Sequence, residues 1–412
     1  MGMSPALSPR PNPPGSNAPA NAAKAKPLVH LLNHKTVPSP SLTSAATTPG
    51  GSDEGLAEEM NDVVKNQFVF GSRLGEGTYA TVYRGHYRDD PSKLVAIKKM
   101  KKNTEWQDGI NLDSLREMKY LAELHHPHVI NLIAVFTTKD ENINLVLEHL
   151  PRGELQDLWQ DKSIAYGGAD VKAWSNMICQ AVWWIHENFV LHRDIKSNNI
   201  LIAADNSLKL ADFGLARSFA NPEADMTYNV ITRFYRPPEL FLGSSHYGGC
   251  VDVWSVGCVI AELACREFFF WSNTDLEHLV KICDVFGVPT EADWPGISKL
   301  RFWKEQLENS PPKRPVPMSW WRNRMPLIGD AGIDLVKGLL AMDPVKRLDA
   351  KQALEHHYWT AAPKPQKREN LPAKGGKAAE KAMGEQLKRV GPEADEEKMS
   401  KIARKLDFGA MR

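Results

Sequence analysis

Short apolar runs separated by polar turns fill the chain between residues 68 and 147. Five of these runs are rich in the β-branched and aromatic residues that favour strands, and they occupy 68–70, 81–83, 94–98, 131–136 and 143–147. Residues 111–124 instead place apolar side chains every three to four positions, which predicts an amphipathic helix. The pattern therefore predicts a small, mostly β unit that contains one helix.

The pattern changes after the polar stretch 148–153, which we interpret as a linker. Apolar side chains then recur at helical spacing from Val171 to Ile185, and again in the run 251–263. Short strand-like runs at 189–191, 200–202 and 208–210 lie between these helices. A second and mainly helical unit is therefore predicted, and 412 residues are enough for both units and two tails.

Both ends of the chain differ in composition from the part between them. Residues 1–62 are rich in Pro, Ser and Ala and have little to bury, so we expect them to be disordered. Residues 361–412 hold 13 basic and 8 acidic side chains, and we expect a largely disordered basic tail with a short helix at 399–406. The remaining body is acidic, which argues against direct nucleic-acid binding by this part.

No apolar run is long enough to span a bilayer, and no CxxC pair occurs among the five cysteines. Each cysteine lies in an apolar stretch, so buried free thiols in a reducing compartment are expected. The chain is therefore predicted to be neither a membrane protein nor a secreted protein stabilised by disulfides.

The stretch 192–199, His-Arg-Asp-Ile-Lys-Ser-Asn-Asn, carries the candidate chemistry. It lies between two strand-like runs, which suggests a rigid loop that faces a cleft. Asp194 can accept a proton from a hydroxyl, Lys196 can neutralise a transferring phosphoryl group, and Asn199 can hold a metal ion. The spacing matches the H-R-D-x-x-x-x-N catalytic loop of protein kinases. An ordinary charged surface turn is the alternative for this stretch taken alone.

A glycine-rich turn joins the first two predicted strands. In Leu74-Gly75-Glu76-Gly77, the glycines let the backbone approach phosphate oxygens and donate N–H groups to them. The β-branched run that follows predicts a hairpin and disfavours a Rossmann phosphate loop, which would open a helix. A plain hairpin turn remains the alternative for this stretch.

Charged residues elsewhere can complete a phosphate site. Lys98 ends the third predicted strand, and Glu117 lies on the flank of the apolar stripe of the predicted helix. An ammonium held by that carboxylate can pair with nucleotide phosphates, whereas solvation explains either residue alone. Asp212 follows the strand-like run 208–210 in Asp-Phe-Gly, where its carboxylate can chelate Mg²⁺.

Six elements follow one another at workable spacing: the glycine turn, Lys98, Glu117, the 192–199 loop, Asp212-Phe213-Gly214 and Pro238-Glu239. Together they resemble a eukaryotic protein kinase over residues 68–359. The resemblance implies an α+β, bilobal fold, with a β-rich N-lobe at about 66–147 that carries one regulatory helix. A larger, mainly α-helical C-lobe would follow at about 151–359. ATP and Mg²⁺ are the implied cofactors, with the metal ion held by Asn199 and Asp212.

The same resemblance implies the residues around the nucleotide. Adenine would lie between apolar side chains of both lobes, with Leu147 as gatekeeper and with its edge bonded by the backbone of Glu148 and Leu150. The ATP-binding set is Leu74, Gly75, Glu76, Gly77, Val82, Ala96, Lys98, Leu147, Glu148, Leu150 and Leu201. The catalytic set is Asp194, Lys196, Lys98 and Glu117.

Within the serine/threonine kinases, segment 111–117 is similar to the cyclin-binding helix of cyclin-dependent kinases, and 230–236 resembles their proline-directed substrate segment. Residues 108–111, Ala80 and 218–222 resemble the cyclin-dependent-kinase-activating kinases, which are the kinase subunit of general transcription factor TFIIH. This resemblance implies a cyclin H-type partner, a MAT1-type assembly factor and a nuclear location. The implied substrates are the heptad-repeat tail of RNA polymerase II and the activation loops of other cyclin-dependent kinases.

Regulation by phosphate is implied as well. Thr227 matches the phosphorylated acceptor of the family, and the phosphate-binding arginines would be Arg116, Arg193 and Arg217. Thr78 and Tyr79 resemble the inhibitory pair of cell-cycle members, so a cell-cycle or other transcriptional cyclin-dependent kinase remains an alternative. A pseudokinase scaffold is the alternative from another functional class. Ser197 departs from the proline that is usual in the catalytic loop.

Overall fold

The structure is a computed structural model that describes residues 53–76, 80–101, 112–140, 142–221 and 226–373. Its N-terminal part contains a five-stranded antiparallel sheet. The strands are β1 (Phe68–Glu76), β2 (Ala80–Tyr87), β3 (Leu94–Met100), β4 (Leu132–Thr137) and β5 (Ile143–Glu148). Their order in the sheet is β1-β2-β3-β5-β4. The pairing of Gly75 with Val82 confirms the predicted hairpin around the glycine-rich turn.

Helices α1 (Asp53–Lys65) and α2 (Leu112–Glu123) accompany the sheet. Helix α2 agrees with its predicted apolar periodicity, whereas α1 contradicts the disorder expected up to residue 62. Asn61 of α1 donates to the backbone carbonyl of Thr137 at 3.1 Å and accepts its N–H at 2.7 Å, and Val64 packs against the sheet. The prediction is wrong from Asp53 onward because these contacts lie far apart in sequence and composition does not reveal them.

Helices dominate the chain after the sheet. They are α3 (Leu155–Gln160), α4 (Gly168–Glu187), α5 (Pro238–Phe241), α6 (Cys250–Cys265), α7 (Asp275–Phe286), α8 (Trp303–Gln306), α9 (Met318–Arg324), α10 (Gly329–Leu339) and α11 (Ala350–Glu355). Short antiparallel pairs lie between α4 and α5: β6 (Val190–Leu191) pairs with β9 (Arg217–Ser218), and β7 (Ile200–Ile202) pairs with β8 (Leu208–Leu210). Helix α6 is apolar on nearly all sides and buried, which is typical of a core helix.

The two-lobed α+β fold predicted from the sequence is confirmed. The N-lobe is the sheet with α1 and α2, and the C-lobe is the helical part that follows the linker. A continuous hydrophobic cluster extends from the C-lobe into the sheet, where it includes Val82, Ala96 and Leu147. Apolar side chains of both lobes therefore face the junction between them. In the part of the chain that the structure describes, no helix is long and apolar enough to cross a membrane.

The predicted C-terminal tail packs against the C-lobe as far as the structure describes it. Lys172 of α4 is fully buried and donates to the carbonyl oxygens of Ala361 and Pro363 at 2.7 Å each. Leu371 is also buried. The expectation of disorder is wrong for this part, because a buried ammonium needs fixed acceptors and the tail supplies them. The predicted helix at 399–406 lies outside the described residues.

Candidate active site

The 192–199 loop connects β6 to β7, the short strands that the flanking apolar runs predicted. Its backbone is left-handed at Arg193, where φ is 62°, and it ends in the 3-10 turn Ser197–Asn199. Every residue from 192 to 199 is buried. An ordinary charged surface turn is thereby excluded, because buried charges require fixed partners.

Asp252, in the first turn of α6, holds the backbone of this loop. Its carboxylate accepts the N–H groups of His192 at 2.8 Å and Arg193 at 2.9 Å, and it lies 3.0 Å from His186 Nε2. Burial alone raises the pKa of Asp252, but the hydrogen bond and charge of His186 with the other polar neighbours lower the pKa below its ordinary value. The carboxylate is therefore ionised, and charge-assisted bonds hold the left-handed Arg193 backbone in place.

His192 connects the catalytic loop to the Asp-Phe-Gly segment. Burial lowers the pKa of this histidine, so the ring is neutral. Nδ1 accepts the backbone N–H of Asp194 at 3.2 Å, and Nε2 donates to the carbonyl of Ala211 at 3.1 Å. The ring also packs edge-on against Phe213, with 4.7 Å between centroids. The loop and the Asp-Phe-Gly segment are therefore joined by a hydrogen bond and a ring contact.

The Asp194 carboxylate is held by Asn199, Lys196 and Thr232. Asn199 donates its amide to Oδ2 at 2.9 Å and to the Asp194 carbonyl at 2.7 Å. Lys196 Nζ lies 3.1 Å from the same Oδ2, and the Thr232 hydroxyl donates to Oδ1 at 2.8 Å. Lys196 also donates to Thr232 Oγ1 at 3.1 Å, which closes the network. A network of this kind holds a carboxylate in one orientation.

Thr232 is a site residue that sequence reasoning missed. It lies 38 positions after Asp194, inside the 230–236 segment that resembles a substrate-binding stretch. That resemblance was the available signal, and it marks the stretch without showing which side chain turns toward the catalytic loop. The contact depends on the fold of the whole C-lobe.

Lys98 and Glu117 form a buried ion pair in the N-lobe. The Lys98 Nζ lies 2.7 Å from both carboxylate oxygens of Glu117, and neither side chain is accessible to solvent. Lys98 lies on β3, in register with Val82 and Leu145 on the neighbouring strands. Asp212 Oδ1 lies 3.9 Å from the same Nζ. An ammonium placed between two carboxylates in this way can bind nucleotide phosphates.

Asp212, next to this ammonium, and Asn199, on the catalytic loop, offer oxygen atoms as metal ligands. Asp212 has a left-handed backbone, with φ 65° and ψ 74°, where the 3-10 turn Phe213–Leu215 begins. The N–H of Ala211 donates to the Asn199 carbonyl at 2.9 Å, which joins the Asp-Phe-Gly segment to the catalytic loop. A carboxylate and a carboxamide are oxygen ligands of the type that Mg²⁺ prefers, so the residues present fit this ion.

The apolar residues of the predicted ATP-binding set, glycines apart, belong to one hydrophobic cluster that spans both lobes. They are Leu74, Val82, Ala96, Leu147, Leu150 and Leu201. Leu201 lies on β7 of the C-lobe, whereas Ala96 and Leu147 are register partners on β3 and β5. The linker is held by the Glu148 side chain, which accepts the Asn131 N–H at 2.8 Å and lies 2.9 Å from Lys209.

The glycine-rich turn is described in part. Gly75 and Glu76 end β1, and Glu76 forms an ion pair with Lys101 at 2.9 Å. Gly77, Thr78 and Tyr79 lie outside the described residues. The contacts predicted for these last residues therefore remain predictions.

One of the predicted phosphate-binding arginines, Arg193, is linked to Thr227 through Tyr247. Thr227 is exposed, and its carbonyl accepts the Tyr247 hydroxyl at 2.7 Å. Arg193 donates to that hydroxyl at 3.4 Å. Burial raises the pKa of Tyr247, and the nearby charges of Arg193 and Arg217 oppose the rise, which places both cations close to this tyrosine. Arg116, the third predicted arginine, pairs with an acid of its own helix, Asp113, at 2.9 Å.

Ser197, the departure in the catalytic loop, belongs to a buried polar network. Its hydroxyl lies 3.1 Å from the Tyr235 hydroxyl, which donates to Glu262 Oε2 at 3.1 Å. Burial raises the pKa of Glu262 to about 8, against the opposing effect of these hydrogen bonds. The carboxyl group is therefore mostly protonated at neutral pH. A proline at position 197 would lack the hydroxyl that joins this network.

Among the described residues, Asp334, His356 and His357 bring potential metal ligands together. Nδ1 of His356 accepts the backbone N–H of Tyr358 at 3.2 Å, so Nε2 carries the proton when the ring is neutral. That Nε2 faces Asp334 Oδ2 at 3.3 Å. The arrangement is therefore a capped turn with a histidine–aspartate contact, and it does not present a deprotonated Nε2 to a metal ion.

Comparison with known proteins agrees with this geometry. The protein kinase domain family matches residues 68–359. Serine/threonine-protein kinase KIN28 of Saccharomyces cerevisiae is 40% identical over 302 residues, which are 73% of this chain and 96% of that protein. Cyclin-dependent kinase 7 of Xenopus laevis is 38% identical over 365 residues, which are 86% of this chain and 100% of that protein.

A solved structure is similar at the level of the whole fold. It is the structure of the CAK complex from Chaetomium thermophilum bound to ATP-gamma-S, and one of its chains is 52% identical to this one. The superposition has a TM-score of 0.74 and covers 77% of this chain and 98% of that chain. The similarity therefore extends over nearly all of the solved chain, including both lobes.

Proposed function

Because the chain belongs to the protein kinase family and, within it, to the cyclin-dependent serine/threonine kinases, we propose that the crevice between its lobes transfers the γ-phosphate of ATP to protein hydroxyls. The observation that carries the proposal is the position of Lys98, 2.7 Å from Glu117 and 3.9 Å from Asp212. A pseudokinase scaffold is not favoured, because the charged groups that phosphoryl transfer needs are all present.

ATP binds with its adenine between the lobes in this proposal. Val82 and Ala96 cover one side of the ring and Leu201 covers the other, and Leu147 limits the depth of the pocket. The backbone of Glu148 and Leu150 bonds the adenine edge. The walls of the pocket are apolar, so the N–H and C=O groups of this linker are the polar partners that the adenine edge needs. The membership of these side chains in one hydrophobic cluster that spans both lobes supports the assignment.

The phosphates lie against charged groups of both lobes. Lys98 orients the α- and β-phosphates, and Glu117 keeps its ammonium in place. Asp212 and Asn199 would hold Mg²⁺, and the ion when bound neutralises charge on the β- and γ-phosphates. Gly75 and its neighbours would close over the phosphates from the N-lobe. In such a reaction, positioning and charge neutralisation provide most of the acceleration.

Asp194 is the proposed acceptor of the substrate proton. Thr232 and Asn199 each bond one of its carboxylate oxygens, so the group is oriented before substrate arrives. The hydroxyl oxygen of the substrate bonds to the γ-phosphorus, the bond to the β,γ-bridging oxygen breaks, and the hydroxyl proton passes to Asp194. Lys196, 3.1 Å from the same carboxylate, neutralises charge on the transferring group.

Proline after the acceptor residue is the proposed sequence preference. Ile231 has a left-handed backbone with φ 69°, and its carbonyl accepts two N–H groups of Arg236 at 3.2 and 3.0 Å. Arg236 is held in turn by Asp275 at 3.0 Å. The Ile231 carbonyl is thus committed to an arginine and does not serve the substrate backbone. A proline fits in the substrate residue after the acceptor, because it has no backbone N–H that would need this carbonyl as an acceptor.

A phosphate on Thr227 is the proposed activating modification. Arg193 and Arg217 lie close to Tyr247, whose hydroxyl bonds the Thr227 carbonyl. A phosphothreonine carries about −1.5 to −2 charges and three strong acceptor oxygens, so it would bind these arginines. Arg116 of α2 would complete the cluster by exchanging its exposed pair with Asp113 for the phosphate. The phosphate would then join the N-lobe helix to the substrate-binding segment.

The proposed partners are a cyclin H-type subunit and a MAT1-type assembly factor within TFIIH, and the proposed location is the nucleus. Helix α2 exposes 62% of Leu112 in its first turn, which fits a helix that docks on a partner. The proposed substrates are the heptad repeats of RNA polymerase II and the activation loops of other cyclin-dependent kinases. The candidate inhibitory pair Thr78 and Tyr79 lies outside the described residues.

Capture of the native complex tests this proposal. The full chain is purified with its partners, these are identified by mass, and the complex is assayed on heptad peptides that carry Ser-Pro or Ser-Ala. We expect a cyclin among the partners and faster phosphorylation of the Ser-Pro peptide. A complex without cyclin, or equal rates on both peptides, would contradict the partner or the specificity assignment respectively.

A further inference from the structure

Helix α1 exposes large apolar side chains on one face. Leu56, Met60 and Val63 are 62%, 64% and 59% exposed, and their spacing of four and three residues aligns them along the helix. We call these residues the α1 stripe. The helix is anchored to the sheet by a different set that includes Asn61 and Val64. The α1 stripe is therefore not explained by the attachment of α1 to the N-lobe.

Helix α1 exposes acidic side chains, of which Glu59 borders the α1 stripe. Glu58, Glu59 and Asp62 are exposed, and Asp62 lies 3.7 Å from Lys65 in the last turn. The described side chains of this helix are therefore mostly negative outside the apolar face. Such a surface fits an amphipathic helix with basic borders, because apolar contact and charge pairing then coincide.

The C-terminal tail contains a sequence with this character. Met399, Ile402 and Leu406 are spaced by three and four residues, so a helix over 399–406 would place them on one face. The basic residues around them are Lys398, Lys401, Arg404 and Lys405. No acid lies between Met399 and Leu406. The tail thus supplies both the apolar spacing and the opposite charge.

The described part of the tail contacts the C-lobe at the turn between β7 and β8. Asn206, in the turn between β7 and β8, donates to the Arg368 carbonyl at 3.2 Å. Strand β8 also pairs with Val129, a few residues before β4 begins, and α1 packs on β4. The chain from Ala373 to Met399 would span more than about 80 Å if fully extended. The chain between Ala373 and Met399 is therefore long enough for residues 399–406 to contact the α1 stripe.

We propose that residues 399–406 dock as a helix on the α1 stripe of the same chain. Met399, Ile402 and Leu406 then cover Leu56 and Met60, while the basic residues pair with the acidic border. Because the segment is tethered, its effective concentration is on the order of millimolar, so a weak contact suffices to keep it docked.

Hydrogen exchange of the full chain tests this docking. The amides of α1 are compared in the natural chain, in a double variant Ile402→Glu/Leu406→Glu, and in the matched control Ser400→Glu, whose added charge lies off the apolar face. We expect the double variant to lose protection in α1 and the control to keep it. Unchanged exchange in α6 shows that the kinase fold is intact in each variant.

A charge reversal sharpens the test. Glu59→Lys should weaken protection of α1, and the second change Lys405→Glu, on the border of the apolar face, should restore it. Equal exchange in α1 for the natural chain and the double variant overturns the proposal. Protection that appears only after addition of a cyclin subunit, or that rises with protein concentration, also overturns it, since a partner or a second copy then covers the stripe.

Discussion

The catalytic loop and the segment around Thr227 lie in the same lobe but are held in different ways. The loop is buried throughout residues 192–199. It is bonded to α6 through Asp252 and to the 230–236 segment through Thr232. Thr227 is exposed, and the bond from Tyr247 reaches its backbone carbonyl rather than its side chain. The catalytic loop is therefore held in place by hydrogen bonds of the fold, whereas the exposed Thr227 offers a site for a phosphate.

This difference suggests that the two regions have different roles in the kinase. The groups that we propose to contact the reacting atoms are positioned by buried hydrogen bonds, so changes in the residues that hold them should alter stability, turnover or both. Around Thr227 the side chain is exposed, and Arg193 is linked to the backbone through Tyr247, so changes of this side chain should alter activity with little effect on stability. The following substitutions separate the two regions.

The largest effect is expected for Asp252→Ala, which removes the acceptor of the His192 and Arg193 N–H groups. Loss of two charge-assisted bonds should lower the free energy of unfolding by about 4 kcal/mol. Urea denaturation measures this change. The matched control is Asp330→Ala, which breaks an exposed pair with Arg322 and should cost less than about 1 kcal/mol. Equal losses for both variants would contradict the bracing role of Asp252.

Glu262→Gln tests the buried network beneath the loop. Burial raises the pKa of Glu262 from 4.5 to about 8, so the folded chain binds a proton that the unfolded chain has released. The natural chain therefore loses stability as pH rises from about 4.5 to about 8. Glutamine keeps an acceptor for Tyr235 and does not titrate, so the variant should be more stable by roughly 3 kcal/mol at pH 7.

Denaturation of both chains at several pH values checks this prediction. The two stability curves should converge below about pH 4.5 and separate as pH rises. Parallel curves across that range would show that Glu262 is ionised in the folded chain or that the network is not formed.

Thr232→Val tests the orientation of Asp194 with almost no change in volume. Loss of a hydrogen bond to a charged group, worth about 1.5–3 kcal/mol, should lower kcat roughly ten- to a hundredfold. ATP affinity should change little, because the threonine contacts the proposed catalytic carboxylate and not the nucleotide. Thr232→Ser restores the hydroxyl and should recover most of the rate. A valine variant with natural kcat would remove Thr232 from the mechanism.

The smallest effect is expected for Thr227→Ala, assayed at saturating cyclin without an assembly factor. Loss of the phosphate and its arginine contacts should lower activity roughly five- to tenfold, which corresponds to about 1 kcal/mol. The free energy of unfolding should be unchanged, because the side chain is exposed. Natural kinetics from this variant would mean that the arginines are simply solvated.

Local patterns predicted the elements that carry the site. Lys98 and Glu117 were identified because a strand and a helix of clear periodicity carry them, and the short strands around 192–199 marked the catalytic loop. The contacts of Thr232, and the network of Ser197 with Glu262, join residues far apart in sequence, so no local pattern contains them. The same reason explains the wrong disorder predictions at α1 and at the start of the tail, where distant contacts fix the backbone.

Phosphoryl transfer by the native complex carrying Asp194→Asn tests the central claim most directly. The asparagine keeps an oxygen for Thr232 but cannot take the substrate proton, so kcat on a heptad peptide should fall by about 10²–10⁴. Binding of ATP should stay within about twofold of the natural complex, since other residues hold the nucleotide. Turnover close to the natural rate would contradict the account, because the chemistry would then not depend on the buried loop.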